Sequence, residues 1–196
     1  MKTLLFASQN NNKVKEIQSV LEGSYLIKSL QDVGFNGELD EPFNTFAENA
    51  KTKAKQGYDI FSLPCFAEDA GLVIEALNGR PGVMSARYAG DVKSPQANID
   101  KVLDEMQGIV NRTAYFIALI AFYTGSQFHL FEGRIYGTIL DQRVGSGGFG
   151  YDPIFLPEGY NQSFGELSAE VKTRISHRSI AVRQFTSFIK ENANNG

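Results

Sequence analysis

The sequence predicts an α/β fold on a central mixed sheet flanked by helices, and three observations carry that prediction. Helix-period and strand-period segments alternate in the first part of the chain, a hairpin of β-branched and aromatic residues comes late, and an amphipathic helix closes the chain. Leu4 to Ala7 is a short apolar run that reads as a buried first strand. Asn12 to Leu21 places Val14, Ile17, Val20 and Leu21 on one stripe, with Gly23 as its stop, and reads as a helix. Tyr25 to Leu30 suits a second strand. Thr45-Phe46-Ala47-Glu48 has the pattern of a capping box, which satisfies two orphan amide donors at a helix start. Phe46, Ala50, Ala54 and Tyr58 continue that helix on one face. Pro64 to Ala67 reads as a short strand, followed by Glu68-Asp69-Ala70-Gly71. Asn98 to Met106 is helical in pattern. Ala114 to Tyr123 and Gln127 to Ile139 form the hairpin around Thr124-Gly125-Ser126. The last helix runs from about Ile180 to Asn192 and buries Ala181, Phe185, Phe188 and Ile189, while the Asn-rich tail Glu191 to Gly196 reads as frayed.

Composition narrows the class. The 196 residues suit a single domain over 1–196, or two closely packed lobes, with enough chain for a real core. Hydrophobic residues make up 42% and charged residues 21%, which excludes global disorder. A formal net charge of -3 and the lack of a basic run argue against a nucleic-acid partner. The longest apolar stretch, Ala114 to Tyr123, is far short of a membrane span. Leu4 to Ala7 is too short for a signal peptide, so cytoplasm is the expected compartment. Cys65 stands alone, which rules out an internal disulfide and a cysteine-rich zinc site, and it reads as a buried strand residue. His129 reads as structural, and no serine-based triad signature is present.

Five segments offer chemistry. Ser8-Gln9-Asn10-Asn11-Asn12-Lys13 lies between the first strand and first helix, where free helix amides and the positive dipole end suit phosphate, and Lys13 adds a charge. A plain polar loop would look the same, and the segment is not a Walker P-loop. Glu68-Asp69 at a strand end suits a hard cation such as Mg²⁺ or the orientation of a water; Asp40-Glu41 is a second acidic pair. Either pair alone is more often a solvated turn than a metal site. Gly145-Ser146-Gly147-Gly148-Phe149-Gly150 matches G-x-G-x-x-G, yet it comes after the hairpin and before Pro153, so a dinucleotide site is rejected. With Phe149 and Tyr151, the loop suits wrapping a flat ring, and a flexible hairpin exit is the alternative. Ser176-His177-Arg178 sits at the start of the last helix, with Ser176 suited to an N-cap and His177 and Arg178 offering donors.

In order and spacing, these segments resemble the inosine triphosphate pyrophosphatase family, whose bacterial members act on non-standard purines. The matching pieces are Ser8-x-Asn10-x-x-Lys13, Phe46-x-Glu48-Asn49-Ala50-x-x-Lys53-Ala54, Glu68-Asp69-x-Gly71-Leu72, Pro81-Gly82-x-x-Ser85-Ala86-Arg87-Tyr88, Gly148-Phe149-Gly150-Tyr151-Asp152-Pro153 and Lys172-x-x-x-x-His177-Arg178. The resemblance implies an elongated fold of two lobes with an active-site cleft between them, and a homodimer. It implies hydrolysis of ITP, dITP and XTP to the monophosphate and pyrophosphate with Mg²⁺. By position, it implies that the loop Ser8, Gln9, Asn10, Asn11, Asn12 and Lys13 holds the phosphates together with Lys53. It makes Asp69 a metal ligand and the general base, with Glu68 and Glu41 as further metal ligands. It places Phe149, Gly150, Tyr151, Asp152, Lys172, His177 and Arg178 around the base and sugar. Gln9 stands where the family often has Gly, and Ala70 stands where a hydroxyl residue is usual, leaving only the Ala70 amide for substrate. The alternatives are a non-catalytic purine-nucleotide sensor on the same scaffold, a pyrophosphatase for modified pyrimidines, and a nucleic-acid module. The Glu68-Asp69 pair argues against the first, and the Phe149–Asp152 and His177-Arg178 segments argue against the second.

Overall fold

The computed structural model of the chain describes residues 2–21 and 25–194. Along it run β1 (Lys2–Phe6), α1 (Asn11–Leu21), β2 (Tyr25–Ser29), α2 (Phe46–Phe61), β3 (Cys65–Ile74), α3 (Pro95–Glu105), β4 (Thr113–Tyr123), β5 (Phe128–Ile139), β6 (Phe155–Pro157), α4 (Ala169–Ile175) and α5 (His177–Asn194). The strands form one sheet in the order β2-β1-β3-β4-β5-β6. β1 pairs in parallel with β2 and β3, and β5 pairs antiparallel with β6, so the sheet is mixed as the sequence predicts. The chain folds as two compact units. One comprises Met1–Asp69, Ala118–Gly133 and His177–Gly196, and the other Ala70–Ile117 and Arg134–Ser176.

In the first unit, strand alternation sorts side chains onto two faces. Leu5, Ala7, Cys65, Ala67, Leu119 and Ala121 meet Ala50 and Ala54 of α2 on one face. These small residues let α2 lie close to the strands. At Gly57 a Cβ would stand 2.6 Å from the Cys65 sulfur, so only glycine fits that approach. The other face is aromatic: Phe6 stacks on Phe66 at 4.7 Å, and Phe185 of α5 lies 4.9 Å from Phe66 and 5.3 Å from Phe122. A Cβ at Gly133 would fall 2.0 Å from the His177 carbonyl oxygen, so glycine in β5 is what admits the start of α5. Ring pairs of this kind add to area burial by about 1 kcal/mol each.

The second unit closes around Leu72, Ile74, Val102, Met106, Phe116, Ile154, Phe155 and Phe164. Ser85 ties its polar parts together. Its hydroxyl accepts the Leu72 amide at 2.9 Å, and its carbonyl accepts the Tyr151 hydroxyl at 2.8 Å and the Asn98 amide at 3.3 Å.

Four elements differ from expectation. β3 does not end before Glu68 but continues to Ile74, because both carboxylates find buried partners and their polarity does not break the strand. The α4 turn, capped by Ser168 accepting from the Val171 amide, is too short to show a period in sequence. Ser176 closes α4, its amide donating to the Lys172 carbonyl, and α5 begins at His177, so the last helix starts earlier than the apolar stripe suggests and extends to Asn194 through part of the expected frayed tail. Thr45 caps α2 by accepting the Glu48 amide, but the Glu48 carboxylate takes the Thr45 hydroxyl at 2.6 Å instead of reaching a backbone amide. Gly23, the expected stop of α1, lies outside the described residues.

Cys65 is fully buried between α2 and the sheet, and burial pushes its thiol up to about 12. At pH 8 only about one thiol in ten thousand would be ionised. Iodoacetamide at pH 8 is therefore expected to leave the folded protein unmodified and to alkylate it fully in denaturant. Rapid modification of the folded chain, followed by mass spectrometry, would contradict this packing.

Candidate active site

Glu68 and Asp69 are neighbours in the middle of β3, so the strand sends their side chains to opposite faces. Glu68 turns toward α1 and α5. Arg178 Nε lies 3.0 Å from each of its oxygens, Arg178 Nη2 lies 2.9 Å from Oε1, and the Lys13 ammonium lies 3.6 Å from Oε2. Arg178 Nη1 pairs in turn with Glu16 of α1. Burial opposes ionisation of Glu68, but the Arg178 and Lys13 charges outweigh it and hold the carboxyl at about 2. Burial pulls the Lys13 ammonium below its usual range, against the opposing pull of Glu68.

Asp69 turns toward α2. Asn49 Nδ2 donates to its Oδ2 at 3.2 Å, and the Lys53 ammonium stands 3.8 Å from its Oδ1. The same ammonium donates to the Glu68 carbonyl oxygen at 2.9 Å and pairs with Glu41. Here burial wins: it raises the Asp69 carboxyl above its ordinary value even against Lys53 and Lys13, and Glu41 adds to the rise. Two adjacent acids thus acquire opposite shifts from their surroundings, one held as a carboxylate by its cations and one whose ionisation burial opposes.

At the start of α1, the Asn10 side-chain oxygen accepts the amides of Asn12 at 3.0 Å and Lys13 at 3.3 Å, while Ser8 Oγ accepts the Asn10 amide at 3.1 Å. Two helix amides expected to be free for an anion are therefore already capped, which leaves side chains such as Lys13 to meet one. Gln9 spends its side-chain amide on the carbonyls of Phe35, at 3.2 Å, and Gly37, at 2.8 Å. Asn11 and Asn12 are exposed on the first turn.

The second unit carries the Gly-rich loop. Asp152 Oδ2 accepts the Phe149 amide at 2.7 Å and the Lys172 ammonium at 2.6 Å, both partners being held at one oxygen. The Lys172 ammonium lies 4.7 Å from the Phe149 ring centroid. Gly148 has a φ of +72° and a Cβ there would strike Asp152 Oδ2 at 2.0 Å, so both its conformation and its neighbour demand glycine. Gly150 follows with φ +61°. The expectation that Tyr151 offers its ring to a ligand is corrected: the side chain is 5% exposed, packs in the core and gives its hydroxyl to Ser85. Phe149, half-buried, is the aromatic residue of this loop with an accessible ring. Ala70 opens the second unit along β3, and His177 is buried at the start of α5.

The Ham1 family model matches residues 4–188. The chain belongs to the Ham1 family. A dITP/XTP pyrophosphatase of Flavobacterium psychrophilum is 46% identical over 187 residues, covering 95% of this chain and 98% of that protein. One from Bacillus subtilis is 42% identical over 194 residues, covering 97% and 98%. The structure of the Staphylococcus aureus Ham1 protein superposes with a TM-score of 0.89 at 34% identity, covering 97% of this chain and 100% of that one.

Of the three acids expected to hold a metal, two lie at one ammonium in this Ham1 chain. Glu41 and Asp69 meet at Lys53, and their carboxylate oxygens are the hard donors that a Mg²⁺-like cation takes. Glu68 does not join them, because alternation places it on the other face and Arg178 occupies both its oxygens. Among the described residues, no three His, Cys, Asp or Glu converge as a metal cluster. Arg178, expected to read the base, has Nε, Nη1 and Nη2 all engaged by Glu68 and Glu16. Sequence reasoning quoted Asn49 within a motif and gave it no role. Its signal was a polar residue one helical turn before Lys53 on the buried side of α2.

The raised Asp69 pKa has a sign for stability. A carboxyl whose folded value exceeds the ordinary 3.8 costs stability, and the cost grows as pH rises from 3.8 through the folded value, then stays constant. Asp69→Asn removes that charge at nearly constant shape. Without metal at pH 7, its Tm is expected at or above that of the unaltered protein, with the difference vanishing below pH 3.8. A melting curve shifted several degrees downward would contradict this account.

Proposed function

We propose that the chain hydrolyses non-canonical purine nucleoside triphosphates, ITP, dITP and XTP, to the monophosphate and pyrophosphate. The observation that carries this is the Asp69 centre, a raised carboxylate oriented by Asn49 and shared through Lys53 with Glu41, in a chain matched almost end to end by relatives named dITP/XTP pyrophosphatases. Phosphoryl chemistry asks a protein for positioning and charge neutralisation more than for a covalent intermediate. Ser8, Asn10, Lys13 and Lys53 hold the triphosphate. Asp69 takes the proton from the attacking water as general base. Asp69 and Glu41 are the residues that would hold Mg²⁺, which when bound would supply charge neutralisation. The buried Glu68 and Arg178 keep β3, α1 and α5 in place under this centre.

For the base, Phe149 gives a face for stacking and Lys172 a donor. Inosine and xanthine carry an acceptor oxygen at position six, whereas adenine carries an amino group that sets donor against donor. The sole cysteine, buried as a thiol, suits a reducing cytoplasm, and the family resemblance supports a homodimer. Among the described residues, no helix is long and apolar enough to cross a membrane.

Phosphorus NMR of a reaction with ITP and Mg²⁺ is expected to show IMP and pyrophosphate as the first products. Orthophosphate and IDP as first products would overturn the proposed bond. In parallel, kcat/KM for ITP and XTP is expected to exceed that for ATP by on the order of a hundredfold or more, since a site built around one hydrogen-bonding group rejects its mismatch strongly. Equal use of ATP would remove the purine selectivity.

A further inference from the structure

α2 carries a polar edge at Asn49, Lys53 and Gln56, whose spacing of four and three residues stacks the side chains along one side of the helix. Each grips the segment that precedes the helix. Asn49 Oδ1 accepts the Phe43 amide at 2.9 Å, and Asn49 Nδ2 donates to the Phe43 carbonyl at 2.9 Å. Gln56 Oε1 accepts the Asp40 amide at 3.2 Å, and Gln56 Nε2 donates to the Asp40 carbonyl at 3.4 Å. Between them, Lys53 holds Glu41. The helix rises ~10 Å from Asn49 to Gln56, and the chain from Asp40 to Phe43 spans at most ~10 Å. The lengths match, so the segment between the two grips has little slack. It runs antiparallel to α2, and a slip of one residue would displace Glu41 by ~3.5 Å. Upstream, Gln9 fastens the same segment at the carbonyls of Phe35 and Gly37.

Asn49 does a second thing. Its oxygen must face the Phe43 N–H, which turns its NH₂ group toward Asp69, where it donates to Oδ2. One buried amide therefore connects the strap to the proposed base.

We infer that residues 35–43 form a strap clipped in register onto α2, and that Asn49, Gln56 and Gln9 are positioning residues that set where Glu41 stands beside Lys53 and Asp69. The inference rests on the reading of Asp69 as the base and Glu41 as a metal carboxylate. None of the three amides has to touch the substrate for this role.

The test compares Gln56→Ala, Asn49→Ala and Asp69→Asn with the unaltered protein. Hydrogen exchange at the Asp40 and Phe43 amides reads the strap, and the Mg²⁺ concentration for half-maximal ITP hydrolysis, with kcat and KM, reads the site. Gln56→Ala changes a partly exposed side chain one helical turn beyond Lys53, in a residue given no contact with substrate or metal. It is expected to speed Asp40 exchange several-fold and raise the Mg²⁺ requirement several-fold, with KM for ITP little changed. Asn49→Ala is expected to speed Phe43 exchange and lower kcat by on the order of ten- to a hundredfold, the range typical of residues that orient a metal's ligands. Unchanged Asp40 exchange in Gln56→Ala would overturn the clip. Faster exchange with an unaltered Mg²⁺ requirement and kcat would overturn its link to the site, and the Gln56 variant decides this even if Asn49→Ala does not fold. Full activity in Asp69→Asn would instead bring down the reading of the base, while the exchange data still judge the strap.

Discussion

Consecutive residues of a β-strand cannot share a face, and Glu68 and Asp69 sit side by side in a strand that is buried on both. The polar chemistry of the first unit follows from that constraint. Burying two charges is costly, and burying two like charges together costs more. Separation by the strand lets each acid have its own partners. Glu68 receives a two-oxygen grip from Arg178 plus Lys13, a geometry that repays desolvation. Asp69 meets the Asn49 amide and a more distant ammonium, and burial still raises its carboxyl. The result is a division between one carboxylate anchored by cations and one whose ionisation burial opposes.

Packing makes the division possible. α2 reaches Asp69 because Ala50, Ala54 and Gly57 leave nothing in the way of a close approach to β1 and β3. Larger residues at those positions would move Asn49 and Lys53 away from the acid they serve. On the opposite face, Gly133 does the same for α5, and Arg178 reaches Glu68 one residue after the contact that Gly133 permits. Small residues placed for packing are thus the cause of the electrostatics. In the second unit the same logic appears at Gly148, whose missing side chain lets Asp152 hold the Phe149 amide and Lys172 together.

Most elements of the fold were legible in the sequence, because periodicity, the Thr45 cap and the hairpin turn are local signals. The motifs also contain Asn49, Lys53, Glu68, Asp69 and Arg178, whose side chains pair in the first unit. What they did not reveal was pairing. Arg178 and Glu68 are 110 positions apart, and nothing in either segment says that the guanidinium is taken by a carboxylate and not by a ligand. Tyr151 is in a loop whose composition suggests exposure, yet its ring is in the core because Ser85 offers a carbonyl for its hydroxyl. In sequence, β3 ends at its acids, because polarity in a buried strand is indistinguishable from a turn until its partners are known. Asn49 carried a visible signal, an amide on the inward side of an amphipathic helix, and its meaning needed the backbone of Phe43 to be placed beside it.

The central claim is that one strand gives two adjacent acids opposite proton affinities. Carboxyl ¹³C NMR of the metal-free protein, titrated downward from pH 8, measures this directly. The account predicts that the Glu68 resonance stays at its ionised position until near pH 2 or until the protein unfolds, and that Asp69 titrates above its ordinary value of 3.8. Both resonances titrating together in the ordinary carboxyl range, or Asp69 remaining ionised below Glu68, would contradict it.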